Sequence, residues 1–201
     1  MSEVMRRALS EAMARLRDIN PDFRFDAARG IRVAVPGARE ALEAAARLIE
    51  PAFRWRDCYG PLAEWLEDNH SRGLLLMGTC GTGKTLLMQA ACGLILACGR
   101  RVVTMASSVR MNARSEELLG KAGGMLYIDD VGRECEAREY GNRQMVFADL
   151  ADEAERRGGL LMASTNLGFE QLSARYGERT ADRLRAITRP IVFTGGSARR
   201  Q

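Results

Sequence analysis

The run Gly78-Thr79-Cys80-Gly81-Thr82-Gly83-Lys84-Thr85 has the residue types and spacing of a loop that grips phosphate. Glycines let such a loop turn sharply and bring backbone N–H groups against phosphate oxygens, where a Cβ would obstruct. The lysine then reaches the β- and γ-phosphates, and the hydroxyl after it is placed to ligand Mg²⁺. The pattern counts only between a strand and a helix. Here Leu74 to Met77 reads as a buried strand, and Leu86 to Cys98 as an apolar helix whose positive end faces the anion. The expectation is a site for a nucleoside triphosphate with Mg²⁺. Gly78, Cys80, Gly81, Thr82, Gly83, Lys84, Thr85 and Leu86 would line it.

Two further segments carry groups suited to that chemistry. Met125-Leu126-Tyr127-Ile128-Asp129-Asp130 reads as a strand ending in two carboxylates. Asp129 is suited to hold Mg²⁺ and its neighbour to polarise the attacking water. Ala163-Ser164-Thr165-Asn166 ends another strand on an amide that would report the γ-phosphate if the two strands pair. The last third is rich in arginine, and Arg179 and Arg183, four apart, share a helical face. By residue type alone they suit a solvated basic face, a nucleic-acid backbone contact, or a finger offered to a neighbouring subunit's ATP.

The elements that must position these groups follow from periodicity. Strand-like runs at Leu74 to Met77, Arg101 to Met105, Met125 to Asp129, Leu160 to Ser164 and Pro190 to Phe193 alternate with helix-like runs, the pattern of a parallel α/β sheet. Most are apolar throughout, as strands covered on both faces are. Before them, Met5 to Ile19 has helical spacing. Phe23 to Phe25 and Ile31 to Val35 suggest a two-stranded ribbon, and helices are expected from Pro36-Gly37 to about Glu50 and from Gly60 to Glu67. This divides the chain into an N-terminal extension, 1–72, and a core, 73–201. Its 201 residues carry a net charge of +4, which permits nucleic-acid binding without requiring it. No run is apolar and long enough to span a membrane or resembles a signal peptide, so the expected location is cytoplasmic. The cysteines Cys58, Cys80, Cys92, Cys98 and Cys135 form no C-x-x-C pair and His70 is the single histidine, which argues against a zinc site or a disulfide framework.

Taken together, GTCGTGKT, MLYIDDVG, ASTN, YGERTADRL and the closing Ile191 to Arg199 resemble, in order and spacing, the AAA+ ATPases of the bacterial and phage replicative helicase loader group. Those are the DnaC and DnaI type, with the transposition helper IstB as kin. The resemblance runs from Gly73 to Arg200. It implies a P-loop AAA+ αβα sandwich on a five-stranded parallel sheet ordered 5-1-4-3-2, without a C-terminal lid domain. It implies Lys84 and Thr85 as the Walker A pair, and Asp129 and Asp130 as Walker B, with Thr85 and Asp129 on the metal. Asp130, Asn166 and Arg183 then form the catalytic set, Arg183 acting on a neighbouring subunit's ATP, and Arg199 is a nucleotide-binding arginine near the chain end. Arg179 stays open between an interface and a helix surface.

The implied activity is ATP hydrolysis, slow and stimulated by a partner or DNA. It would serve to load a replicative helicase, contacted through the N-terminal helix, onto single-stranded DNA. Two alternatives remain on sequence grounds: a transposition helper that binds duplex DNA, and an ATP-gated assembly adaptor with negligible turnover. Three departures bear on these. The second acid is Asp130 where glutamate is usual, which leaves open slow turnover or another base such as Glu134; the space from Ala106 to Gly124 holds only one helix and a turn, which weakens the nucleic-acid reading; and before about Gly73 the correspondence with the group is one of position alone, with the Met5 to Ile19 helix as the candidate helicase contact.

Overall fold

The computed structural model describes residues 30–134 and 145–196, four strand positions between them, and seven scattered positions from Glu3 to Arg15. The expected helix from Met5 is thus described only at those positions, all helical and exposed, and Phe23 to Phe25 lie outside the described residues. In chain order the elements are α1 (Ala38–Ile49), α2 (Gly60–Glu67), β1 (Gly73–Gly78), α3 (Lys84–Gly99), β2 (Val103–Ser107), α4 (Ser108–Met111), α5 (Ser115–Lys121) and β3 (Met125–Val131). There follow a short antiparallel ribbon of β4 (Arg138–Glu139) and β5 (Asn142–Arg143), then α6 (Val146–Arg157), β6 (Leu160–Thr165), α7 (Phe169–Tyr176), α8 (Glu178–Ile187) and β7 (Thr188–Phe193).

Five strands pair in parallel in the order β2-β3-β6-β1-β7. Counting those five alone, this is the expected 5-1-4-3-2 read from the other edge. Burial explains who sits where. Leu74, Leu75 and Leu76 of β1 are wholly buried, and β6 is buried along its length, as inner strands must be. β7 instead alternates, with Val192 exposed, and tolerates Pro190 because an edge strand has one side on which no N–H is needed.

Alternate strand residues feed two layers. Leu74, Leu76, Tyr127 and Met162 pack with α1, α2 and α3, while Leu75, Met77, Leu126, Ile128 and Leu161 pack with the layer containing α5 to α8. The helices fit these roles locally. Ala38, Leu42 and Ala46, four apart, make the buried stripe of α1, and Leu62, Trp65 and Leu66 that of α2. Residues 33–66 therefore share one core with β1 and α3. None of the described helices is long and apolar enough to cross a membrane.

Three expectations are corrected in detail. Ile31 to Val35 keeps its alternation, with Val33 and Val35 buried, but it is not a strand of a ribbon. The side-chain amide of Asn69 stands in for a partner strand, accepting the Val33 N–H and donating to the Ile31 carbonyl, both at 2.9 Å. β2 begins at Val103 because Arg100, in the left-handed conformation, closes α3 and leaves Arg101 and Val102 exposed. The single helix expected between β2 and β3 is broken into α4, a 3₁₀ turn and α5.

Candidate nucleotide site

The phosphate-type loop joins β1 to α3 at the carboxyl edge of the sheet, where ligands of open α/β sheets bind. All three of its glycines are required by geometry, Gly81 with φ +84° among them. Gly78 has φ +147° and a Cβ there would lie 2.4 Å from the Phe193 carbonyl oxygen; Gly83 has φ +95°. Thr82 is buried and its hydroxyl donates to the Thr79 carbonyl, bracing the turn from within. Cys80 is exposed on the loop, and Leu86 packs its side chain against the core, so only its backbone remains for a ligand.

Lys84 is the hub. Its ammonium donates to Gly78 O at 2.7 Å, Thr79 O at 3.0 Å and Asn166 Oδ1 at 2.8 Å. Those three acceptors use all three of its donors. Burial pulls its pKa below the ordinary 10.5, while the charges of Asp130, Cys80 and Asp129 work in the opposite direction. Asn166 turns its other end to Asp130, donating from Nδ2 at 3.3 Å. The structure therefore brings Lys84, Asn166 and Asp130 into one line, cation to amide to carboxylate.

The two carboxylates owe their placement to a bulge. Ile128 pairs with Ala163 and Val131 with Thr165, so Asp129 and Asp130 together face the single residue Ser164. Asp130 takes up the extra length with φ +62°, a conformation aspartate tolerates better than most residues. Ser164 fills the interrupted rung: its Oγ accepts the Asp130 N–H at 2.9 Å and donates to Asp129 Oδ1 at 2.6 Å. The Tyr127 hydroxyl donates to the same Asp129 oxygen, and Thr85 Oγ1 lies 3.0 and 3.1 Å from the two Asp129 oxygens. Burial first, then the Asp129 charge, hold the Tyr127 hydroxyl far above its ordinary pKa, so it stays a donor.

Tyr127 and Ser164 were not singled out from the sequence. Tyr127 was in principle findable, because residues two apart on a strand share a face.

Other expected residues stand elsewhere. Arg183, on α8, is only 14% exposed and pairs with Asp152 and Glu155 of α6 within its own chain. Arg179, on the same face, is 82% exposed and reaches Asp152 only at 4.0 Å. Glu134, the alternative base, has both oxygens engaged: Oε2 accepts the Gly132 N–H at 2.9 Å, and Oε1 accepts from the Tyr176 hydroxyl and from Arg175 Nε at 3.3 Å. Burial works to raise its pKa, but those bonds and the Arg175 charge outweigh it and hold the carboxyl below its ordinary value. Asp130 also carries an ion pair, to Arg133 at 2.8 Å. Arg199 lies outside the described residues. Among the described residues no cluster of three or more His, Cys, Asp or Glu side chains is placed to hold a metal by itself.

The layering, strand order and loop position are those of the AAA+ fold. Comparison with solved structures agrees. DnaI superposes with a TM-score of 0.56 at 22% identity, over 78% of this chain and 94% of that one. The DnaC helicase loader gives 0.50 at 16%, over 75% and 87%. A putative primosome component from Streptococcus pyogenes serotype M3 gives 0.51 at 16%, over 82% and 85%. At such identities the likeness is one of fold. No protein-family model and no curated protein matches the sequence.

Proposed function

We propose that this chain binds ATP with Mg²⁺ in the loop after β1, hydrolyses it slowly, and uses it to load a ring-shaped replicative helicase onto single-stranded DNA. The observation that carries the nucleotide half is the convergence of Lys84, Asn166 and Asp130 beside the Thr85–Asp129 pair. The loader half draws on the sequence motifs and on a fold shared with a protein described as a helicase loader.

Thr85 and Asp129 present only hard oxygen donors, which fits Mg²⁺, an ion that completes its shell from water and phosphates instead of a protein cage. Bound there it would neutralise charge on the phosphates. The chain's own residues do the rest. Lys84 exchanges its loop carbonyls for phosphate oxygens. Asn166, released from Lys84, becomes free to meet the γ-phosphate or the attacking water. Asp130 is the base that orients that water, and its pairing with Arg133 and Asn166 supports a low basal rate, since those partners must be given up first. Arg183 acts on the ATP of a neighbouring copy, so that the triphosphate joins subunits and its loss releases them.

Ser164→Ala tests the metal ligand's placement. Without that hydroxyl Asp129 loses one of its orienting donors, and outer-shell losses of this type cost about 10- to 100-fold in metal affinity. The gain in ATP affinity on adding Mg²⁺ should shrink by roughly tenfold or more, while affinity in EDTA holds. An unchanged ratio of the two dissociation constants would count against this role of Asp129.

The loader role is tested by retention of the host's hexameric helicase, with ATP and Mg²⁺, on the full chain and on a variant lacking residues 1–20. Retention by the full chain alone is expected, with ATP binding equal in both. A transposase retained in its place, or duplex DNA only, would sink the loader assignment and leave the ATPase standing.

A further inference from the structure

Tyr59 lies outside every motif that pointed to the nucleotide site, in a stretch the sequence leaves irregular, yet it is 1% exposed and sits directly beneath the phosphate loop. Its hydroxyl donates to the Thr82 carbonyl at 3.0 Å. A Cβ built on Gly83 would come within 3.1 Å of the same hydroxyl oxygen, which places it against the back of the 82–83 peptide. The described chain has no cis peptide bond, so the N–H of Gly83 points opposite to the Thr82 carbonyl. Held at the carbonyl from the buried side, that peptide directs its N–H away from Tyr59.

The tyrosine itself has little freedom. Its ring packs with Phe193 at 4.9 Å, stacks with Phe53 at 5.8 Å and meets Trp55 edge-on at 5.8 Å. On the same short segment Arg56 donates to Gly196 O at 2.7 Å, tying it to the chain just beyond β7. Burial is the main cause of a raised Tyr59 pKa, so the hydroxyl remains a donor at neutral pH.

We propose that Tyr59 is a positioning residue for the phosphate loop, fixing the 82–83 peptide from behind so that the Gly83 N–H is aimed at phosphate before a ligand arrives. This rests on the nucleotide reading above. The phosphate grip thereby depends on residues 53–59, which precede the strand bearing the loop, and on the end of β7. A loop whose donors are already oriented loses less freedom on binding, and the tyrosine contributes affinity without touching the ligand.

The test uses the full chain and Tyr59→Phe, which keeps the ring and removes the hydroxyl. Calorimetric titration with inorganic tripolyphosphate, and separately with ATP, should show binding about tenfold weaker in the variant, the scale of one lost hydrogen bond to an oriented polar group. In the wild type the Gly83 amide resonance should move strongly on adding tripolyphosphate, and markedly less in the variant. Equal affinities in the two proteins overturn the proposal, as does a lower melting temperature in the variant with unaltered tripolyphosphate affinity, which would make the hydroxyl structural only. If the variant does not fold, the wild-type resonance decides: a Gly83 amide indifferent to tripolyphosphate overturns it. A wild-type chain that binds neither tripolyphosphate nor ATP brings down the nucleotide reading and the brace together, whereas wild-type binding matched by the variant brings down the brace alone.

Discussion

Lys84→Ala is expected to weaken ATP binding by at least a hundredfold, the largest single-site effect on affinity in the chain. The ammonium would meet two phosphates, and a hydrogen bond involving charged groups is worth about 1.5–3 kcal/mol, so losing both passes two decades. The other hydrogen bonds of Lys84 add to the loss. The Lys84 donors already hold Gly78 O, Thr79 O and Asn166 Oδ1, so the same group that will grip phosphate keeps the loop in shape beforehand. Alanine removes the grip and the preorganisation at once. Arginine at this position would not restore it, since a planar guanidinium is larger and cannot place three donors around one point. ATP affinity measured by calorimetry or by a fluorescent analogue decides; a variant within threefold of the wild type would mean that the loop does not bind phosphate in the expected way.

How much of this was legible in the sequence depends on whether a feature is local. The loop, the helix behind it and the inner strands β1, β3 and β6 could be read directly, because glycine spacing and uninterrupted apolar runs are properties of short windows. Edge strand β2 was displaced, since half-exposed residues such as Val103 and Thr104 carry a weaker signal than buried ones. The groups that support the site were hidden for a different reason. Ser164 meets Asp129 across 35 residues of sequence, and Tyr59 meets Thr82 across 23. Such contacts exist only once strand order and register are set, and a bulge that puts two aspartates opposite one serine has no signature in a single segment. Asn69 makes the same point in reverse. It lies in a polar run, yet its amide is buried and serves as the hydrogen-bonding partner of residues 31–33.

The pairing of Arg183 with Asp152 and Glu155 makes a trans role for it more exacting, and gives the second large prediction its form. A guanidinium already neutralised within its own chain must exchange one set of anions for another to reach a neighbour's γ-phosphate. The net gain is then small and depends on the triphosphate, which is what a nucleotide-controlled interface needs. If Arg183 is the finger, Arg183→Ala should cut turnover of the assembled protein by about 10³ or more while leaving ATP affinity of the isolated chain within about twofold. Lys84→Ala should be equally inactive for the opposite reason, as it spoils the site that a finger would complete.

Mixing the two inactive proteins separates an action between subunits from one within a subunit. An intact Lys84 site from one variant then faces an intact Arg183 from the other at about a quarter of head-to-tail interfaces in an equal random mixture, and turnover should return in proportion. Activity that stays at background after mixing, with co-assembly verified, would place Arg183 in its own chain's structure and leave the exposed Arg179 as the arginine of α8 to test next.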